Sequence, residues 1–261
     1  MGKIYIKMRH DNEMNMDIPH NYNFANAMYG FRELGAEIVP YYKVADIYNL
    51  VTKEDIVIDY IDQCNRIFSK FNVHPHVPDY PECLSEFLGR KIWYDTIDSI
   101  SSCEEKWSAG NFVKPTKSKV FTGKIIKSIG DLVGCGNHSE NYEVMVSEPL
   151  DIKAEWRCFI YYDHILDVRP YGLLLDQKRD SFYYHYDSVV VKKMLDKFVT
   201  WEDRPVACSM DICVTNDNRT LLMELNDAYS LGSYGLPSIF YAKFISARWS
   251  QLLNRNDDFK F

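Results

Sequence analysis

The sequence predicts a mixed α/β fold. In residues 3–59, short strand-like segments alternate with a helix-like segment at 23–34, which Gly35 closes as a C-terminal cap. Strand–helix–strand units of this size favour a sheet with at least partly parallel pairing. Further along, the apolar segments 210–215 and 220–225 flank a polar turn, which is typical of a β-hairpin. Together these observations predict an α+β chain with both parallel and antiparallel pairing.

The composition indicates a globular protein. The chain has 261 residues, of which 46% are hydrophobic and 26% are charged, so it can bury one large core or two small ones. A net charge of −7 at pH 7 disfavours a sequence-independent nucleic-acid binder, which would normally carry a basic surface. An acidic protein can still hold a local basic pocket for an anionic ligand.

Three absences from the sequence predict a cytoplasmic protein with no membrane partner. The N-terminus lacks the pattern of a signal peptide, and no apolar stretch reaches the roughly 18 residues needed to span a membrane. The seven cysteines form no C-x-x-C pair, which favours a reducing compartment over a disulfide framework or a zinc site.

The remaining elements follow from local patterns. Strands are predicted at 3–8, 36–40, 55–59, 111–114, 142–146, 155–162 and 165–171. Helices are predicted at 61–71, at 81–88 before Gly89, at 188–200 and at 236–253. The segment 74–78 contains two prolines and predicts a domain boundary. The polar segment 177–182 is predicted to be a loop suited to a substrate lid.

The hairpin places three oxygen-bearing side chains at one end. Asp211 lies near the start of its first strand, while Glu224 and Asn226 lie near the end of the second and leave the same face. Hard divalent cations such as Mg²⁺ take ligands of this kind. A solvent-facing acidic hairpin is the alternative, because single charged residues are mostly exposed. The apolar run before Glu224 and the glycine-containing loop after Asn226 favour the metal site.

A lysine-rich segment predicts a phosphate contact. Lys114 ends a strand that Pro115 stops, and Lys119 and Lys124 follow in and after a short polar loop. Hydroxyl and ammonium groups in such a turn can hold phosphate oxygens, although no Walker A pattern is present. Taken alone, a lysine-rich turn is more often a solvated hairpin. The sequence does not choose between Lys119 and Lys124.

Two further arginines belong to a strand pair. Glu155, Arg157 and Phe159 share one face of a strand, and Arg169 lies on the strand that returns beside it. Arginine pairs bidentately with phosphate or carboxylate, so both guanidinium groups are candidates to bind an anion. The alternative is a cross-face ion pair between Arg157 and Glu155, worth under ~1 kcal/mol if exposed.

The order of these motifs resembles the ATP-grasp superfamily. It looks most like the small ATP-grasp domain proteins of the arginine-to-lysine clade, and more distantly like the ribosomal-protein glutamate ligases. The resemblance implies two α+β lobes that grip ATP, preceded by a small Rossmann-like lead-in domain. On this basis we expect the lead-in at 1–78, the first lobe at 79–147 and the second lobe, with the metal site, at 148–261.

The resemblance also implies roles. Asp211, Glu224 and Asn226 would hold two Mg²⁺ ions, with Mn²⁺ as a substitute. Lys114, together with Lys119 or Lys124, would contact the ATP phosphates.

The segment joining the lobes would bind adenine through Glu148, Pro149 and Leu150. The alternative is that these residues are only the end of a strand that proline terminates. Glu155 and Arg157 would also line the nucleotide site. Arg157 and Arg169 would bind the γ-phosphate and an acyl-phosphate intermediate.

The implied activity is ATP-dependent ligation of a carboxylate to an amine, such as an amino acid or a peptide, with release of ADP and phosphate. A kinase on the same fold and a nucleotide sensor without turnover are the alternatives. The sequence leaves a homodimer open.

Overall fold

The computed structural model describes residues 2–116, 120–136, 140–171 and 184–260. Lys119 and the loop predicted at 177–182 lie outside these residues. The chain forms two compact units. The larger unit comprises Met1–Phe87, Lys153–Val214 and Asn218–Phe261, and the smaller unit comprises Leu88–Ile152 and Thr215–Asp217. The division predicted at residues 78 and 147 stays a prediction.

The N-terminal part of the larger unit is a four-stranded sheet built around its first strand. Its strands are β1 (Ile4–Asp11), β2 (Met16–Pro19), β3 (Ile38–Tyr41) and β4 (Ile56–Ile58). β1 pairs in parallel with β3 and β4 and antiparallel with β2, which confirms the predicted partly parallel pairing. β2 is not predicted from the sequence, because four residues ending in proline are too short to carry a clear pattern.

Helices cover this sheet. They are α1 (Tyr22–Glu33), α2 (Val44–Ile47) and α3 (Ile61–Lys70). The Asn21 side chain caps α1 by accepting a hydrogen bond from the Phe24 N–H at 3.0 Å. Gly35, with φ of +78°, adopts the left-handed conformation expected of the residue that follows a helix.

A second sheet in the larger unit carries the hairpin. Its strands run in the order β10-β9-β11-β12, where β9 is Ile152–Tyr161, β10 is His164–Tyr171, β11 is Ala207–Thr215 and β12 is Thr220–Asp227. Two helices belong to the same part of the chain, α6 (Ser188–Phe198) and α7 (Ser238–Leu252). The ring of Phe159 on β9 packs edge-on against Phe244 of α7, with centroids 5.3 Å apart. The predicted hairpin and both predicted helices are therefore present.

The smaller unit is an antiparallel sheet with short helices. Its strands are β5 (Ile92–Thr96), β6 (Phe112–Pro115), β7 (Lys124–Ile125) and β8 (Glu143–Ser147), in the order β5-β8-β6-β7. Its helices are α4 (Ile97–Ser101) and α5 (Glu104–Ser108), with a 3₁₀ turn at Ile129–Leu132. Its core is apolar and includes Ile97, Ile100, Val113, Ile126, Val144 and Val146.

The segment predicted as a helix at 81–88 is instead a 3₁₀ helix, Glu82–Phe87. Six residues gain few i→i−4 hydrogen bonds, so the tighter i→i+3 turn competes well at this length. Gly89 follows with φ of +61°, in the left-handed region. Among the described residues, no helix has the length and apolar character needed to cross a membrane.

Candidate functional site

The hairpin register brings the three predicted metal ligands together. Asp211 lies directly opposite Glu224, and Ser209 lies directly opposite Asn226. Directly opposed residues of an antiparallel pair point to the same face, so all four side chains project to one side of the sheet. A β-bulge follows at once, between Asp211 and Ile212. Bulges of this kind redirect side chains and are common beside functional sites.

The Asn226 amide lies between the two carboxylates. Its Nδ2 donates to Asp211 Oδ2 at 3.0 Å and to Glu224 Oε1 at 3.1 Å. The amide nitrogen thus stands where a cation shared by both carboxylates would stand. A half-turn of this amide about its Cβ–Cγ bond would present the oxygen to the carboxylates instead.

This donor set fits a hard divalent cation. Two carboxylates and one amide oxygen are ligands that Mg²⁺ accepts, with water and phosphate oxygens completing its octahedron. Nowhere in the described ranges do three or more His, Cys, Asp or Glu side chains group closely enough to hold a metal ion. The hairpin site depends on its amide to provide a third ligand.

Arg157 of β9 is bound to the candidate metal ligand Asp211. Its Nε donates to Asp211 Oδ1 at 2.8 Å, and its Nη2 donates to Oδ2 at 2.6 Å. The two side chains are only 3% and 2% exposed. This is a bidentate, charge-assisted pair in a buried setting, the strongest geometry available to an arginine and a carboxylate.

The pair controls the charge of the site. Burial raises the pKa of Asp211, the hydrogen bond and the charge of Arg157 lower it in part, and Glu224 raises it again. Burial opposes the charged form of Arg157, but the hydrogen bond to Asp211 and the negative charge of Asp211 together outweigh it and raise the guanidinium pKa. Arg157 therefore stays charged, and its charge favours the ionised form of Asp211 that a metal requires.

Two tyrosines that sequence reasoning missed contact the same guanidinium. The Arg157 Cζ lies 4.2 Å from the ring centroid of Tyr171 and 4.4 Å from that of Tyr234. Both distances are well within the range of cation–π attraction. Tyr171 could have been found on β10, two positions beyond Arg169 and so on the same face. No local signal marks Tyr234.

Arg169 and Glu155 lie beside this group. Arg169 is directly opposite Arg157 in the β9–β10 pair, and Glu155 is directly opposite Tyr171. The Arg169 guanidinium donates from Nε to Asp167 Oδ2 at 2.8 Å. The two predicted arginines therefore share one face of the sheet, and each has a carboxylate partner.

A second buried pair holds the end of β12. Arg248 of α7 donates from Nε to Asp227 Oδ1 at 2.7 Å and from Nη2 to Oδ2 at 2.6 Å. Their side chains are 9% and 8% exposed. Asp227 directly follows the candidate ligand Asn226, so this pair fixes the backbone that positions that ligand. Sequence reasoning missed Arg248, because the two residues are joined only by the packing of α7.

The other predicted site residues belong to the smaller unit. Lys114 lies on β6 opposite Met145. Lys124 lies on β7, where its Nζ donates to the Val133 carbonyl at 3.3 Å.

Glu148 follows β8, and its Oε2 accepts a hydrogen bond from the Lys91 backbone N–H at 3.0 Å. Pro149 and Leu150 come next, outside any strand. The roles that the sequence predicts for these residues stay predictions.

Solved structures with similar folds include a ligase and two synthetases. A D-alanine–D-alanine ligase from Bacillus anthracis superposes with a TM-score of 0.58 at 12% identity, over 97% of this chain and 99% of that one. D-cycloserine synthetase DcsG gives 0.57 at 13% identity, over 87% and 93%. The N5-carboxyaminoimidazole ribonucleotide synthetase of Thermotoga maritima gives 0.55 at 13% identity, over 98% and 77%. At these identities the likeness establishes the fold alone.

The sequence itself matches one family. No curated protein matches it significantly. The more distant resemblance to the ribosomal-protein glutamate ligases is not shown by these matches. A family model described as the ATP-grasp domain, arginine-to-lysine clade, family 2, matches residues 87–244, which is more than half of the chain. The chain belongs to family 2 of the arginine-to-lysine clade of ATP-grasp domains.

Proposed function

We propose that the protein is an ATP-dependent carboxylate–amine ligase. The observation that carries this proposal is the convergence of Asp211, Glu224 and Asn226 on one face of the hairpin, with the buried Arg157 beside them. Family membership and the similar folds of a D-alanine–D-alanine ligase, including one complexed with ATP, support the same activity.

The two carboxylates and the amide would hold the metal. Asp211 and Glu224 provide negative oxygens, and a half-turn of the Asn226 amide would add a neutral one. When bound, Mg²⁺ would supply positive charge that neutralises the negative charge developing on the phosphate groups. Arg157 keeps Asp211 oriented for this task through its two hydrogen bonds.

The arginines would bind the anionic reactants. A carboxylate oxygen of the substrate attacks the γ-phosphorus of ATP, the bond to the β-phosphate oxygen breaks, and ADP leaves. Arg157 and Arg169 supply fixed positive charge on the face where the resulting acyl phosphate would lie. An amine then attacks the acyl carbon, loses a proton and expels inorganic phosphate. No step requires a covalent nucleophile from the protein.

Residues of the smaller unit are further candidates to bind the nucleotide. We propose that Lys114 contacts the phosphates, with Lys119 or Lys124 as a second contact. We also propose that Glu148, Pro149 and Leu150 contact adenine, and that Glu155 lines the site from the larger unit. Each of these roles follows from the position of the residue in the motif order of the family.

The first experiment measures ADP release from Mg-ATP with pooled amino acids and short peptides, and identifies products by mass spectrometry. A product that carries an added amino acid minus water is expected. Glu224→Gln should lower the rate by at least about 100-fold, because it removes a charged metal ligand. Glu202→Gln, at an exposed position of the same unit, is the matched control and should keep the wild-type rate.

Other outcomes decide against the proposal. A product heavier by one phosphoryl group would identify a kinase instead. Tight nucleotide binding without ADP release would indicate a nucleotide sensor. Unchanged ADP release in Glu224→Gln would contradict the assignment of the metal site.

A further inference from the structure

The Arg157 guanidinium is contacted by one carboxylate and two aromatic rings. Asp211 takes the edge formed by Nε and Nη2. Tyr171 and Tyr234 lie 4.2 and 4.4 Å from Cζ, and their own centroids are 5.3 Å apart with the rings nearly perpendicular, at 80°. Because the rings are so close to each other, they form two adjoining walls of a corner, not a sandwich. Arg157 is thereby held by one hydrogen-bonded edge and two aromatic walls.

The corner leaves part of the guanidinium for another ligand. An arginine has five N–H donors in a rigid plane, and Asp211 accepts from only two of its nitrogens. Within the described part of the chain, no other residue accepts a hydrogen bond from Arg157. Three N–H donors remain, two on Nη1 and one on Nη2, and the direction of the Nη1 pair is set by the two rings and by Asp211.

Tyr234 takes its place at a cost in backbone conformation. Its φ is +44°, in the left-handed region that side chains other than those of Gly, Asn and Asp rarely adopt. Its ring lies on the backbone of Gly232, where an added Cβ would come within 3.0 Å of Tyr234 Cε2. A non-glycine residue in this conformation persists only where its surroundings determine it, and such residues cluster at functional sites.

The loop that carries Tyr234 is hydrogen-bonded to α1 both before and after Tyr234 in the sequence. The Ser233 N–H and Oγ donate to Asn23 Oδ1 at 2.9 and 3.0 Å. The Asn26 Nδ2 donates to the Leu236 carbonyl at 2.9 Å. These contacts hold the strained residue in place from α1. Tyr234 is nevertheless 41% exposed, so filling the core does not explain why an aromatic ring stands there.

We propose that Tyr171 and Tyr234 are positioning residues that fix the Arg157 guanidinium so that its Nη1 group faces an incoming phosphate or carboxylate oxygen. The anion is that of the proposed ligase reaction, so this part rests on the proposed function. The orientation of Arg157 itself does not. The rings act through their faces, and the tyrosine hydroxyls are not required.

The test compares Tyr234→Phe, Tyr234→Leu and Gly232→Ala. Leucine removes the aromatic face but leaves the backbone conformation equally strained. An alanine at 232 leaves the tyrosine itself unchanged but presses on its ring, with its Cβ 3.0 Å from Tyr234 Cε2 and 3.3 Å from Asn23 Nδ2. The control is Tyr29→Leu, at an exposed tyrosine of α1. The first readout is hydrogen exchange of the Arg157 Nε–H by ¹⁵N NMR in metal-free protein, with the resonance assigned by its loss in Arg157→Lys.

We expect exchange to accelerate at least about tenfold in Tyr234→Leu and Gly232→Ala, and to stay at the wild-type rate in Tyr234→Phe and Tyr29→Leu. The second readout is affinity for the magnesium complex of the non-hydrolysable analogue AMPPNP. It should fall about tenfold in the first two variants and less than twofold in the other two. Thermal unfolding verifies that each variant is folded.

Wild-type exchange in Tyr234→Leu would overturn the proposal, and so would wild-type nucleotide affinity in a variant whose guanidinium has loosened. Equal losses in Tyr234→Phe and Tyr234→Leu would assign the effect to the hydroxyl and also overturn it. If the wild-type protein does not bind the nucleotide analogue, the proposed function fails, and the exchange rates alone decide whether the tyrosines position Arg157.

Discussion

At the scale of single residues, the pair formed by Arg157 and Asp211 explains how an acidic ligand can be buried. Removing a charge from water costs several kcal/mol, which a single hydrogen bond does not recover. The bidentate geometry and the two tyrosine rings together offset that cost. The pair is thus a condition for the proposed metal site, because an unpaired buried carboxylate would take up a proton instead.

Arg157→Leu should lower the free energy of unfolding by about 3–5 kcal/mol, because it leaves the buried Asp211 carboxylate without its cationic partner. Chemical denaturation followed by circular dichroism measures the change. The double variant Arg157→Leu/Asp211→Leu should recover most of that loss, because an apolar pair of similar volume is often as stable as a buried ion pair. A double variant as unstable as the single one would show that Arg157 stabilises the fold by packing and not by charge.

At the scale of secondary-structure elements, the hairpin is the element that makes the site. All nine residues of β11 are buried, so both faces of this strand are packed. A shift of one residue in its pairing would turn every side chain to the other face, and Asp211 would change places with apolar side chains. The register that places Asp211 opposite Glu224 is therefore strongly determined. The bulge that follows leaves this pairing intact and changes the direction of the strand beyond it.

The packing of α1 against α7 depends on one glycine. A Cβ at Gly30 would come within 1.9 Å of the Ser238 carbonyl oxygen and 2.9 Å of the Ala242 Cβ. Both contacts lie at the start of α7, so the helices approach closely at this point. The same helices carry Asn26 and Arg248, which anchor the loop after β12 and the end of β12 itself.

Gly30→Ala should lower the free energy of unfolding by about 1–3 kcal/mol, because a backbone atom has to move to make room for the methyl group. Helix propensity alone predicts the opposite sign, since alanine in a helix interior is favoured over glycine by roughly 0.5–1 kcal/mol. Denaturant unfolding distinguishes the two. Gly136→Ala, where no described atom lies within 4 Å of the added Cβ, is the control and should be close to neutral.

At the scale of the whole molecule, the net charge is negative although basic groups are concentrated locally. The net charge is −7, yet Arg157 and Arg169 lie side by side on one face of the β9–β10 pair. A few oriented cations suit a small anionic ligand, whereas a nucleic-acid backbone requires an extended basic surface. The overall charge is thus consistent with a nucleotide ligand.

Nucleotide and metal should stabilise the protein together. With AMPPNP at about 100 times its Kd and Mg²⁺ present, the free energy of unfolding should rise by about 2.7 kcal/mol, because only the folded state binds. Differential scanning fluorimetry measures the corresponding shift in Tm. Chelation of Mg²⁺, or the substitution Glu224→Gln, should remove most of that shift. A shift of equal size without Mg²⁺ would separate nucleotide binding from the hairpin.

Local patterns in the sequence determined much of this protein. The hairpin, α1 with its glycine terminus and the C-terminal helix follow from periodicity and capping, which act over a few residues. The grouping of Asp211, Glu224 and Asn226 follows from the same source, because hairpin register is a local property. The short elements β2, α2, α4 and α5 could not be predicted, because segments of four or five residues are too short to carry a clear periodic pattern.

Only the tertiary structure decided which residues surround that group. Arg157 meets Asp211 across 54 positions of sequence, and it meets Tyr234 through a loop held by α1. Arg248 reaches Asp227 through the packing of α7. A short-range pattern specifies how a segment folds on itself, but contacts between distant segments depend on how whole elements pack. The sequence by itself thus determined the candidate metal ligands, and packing decided the charge, the orientation and the burial that surround them.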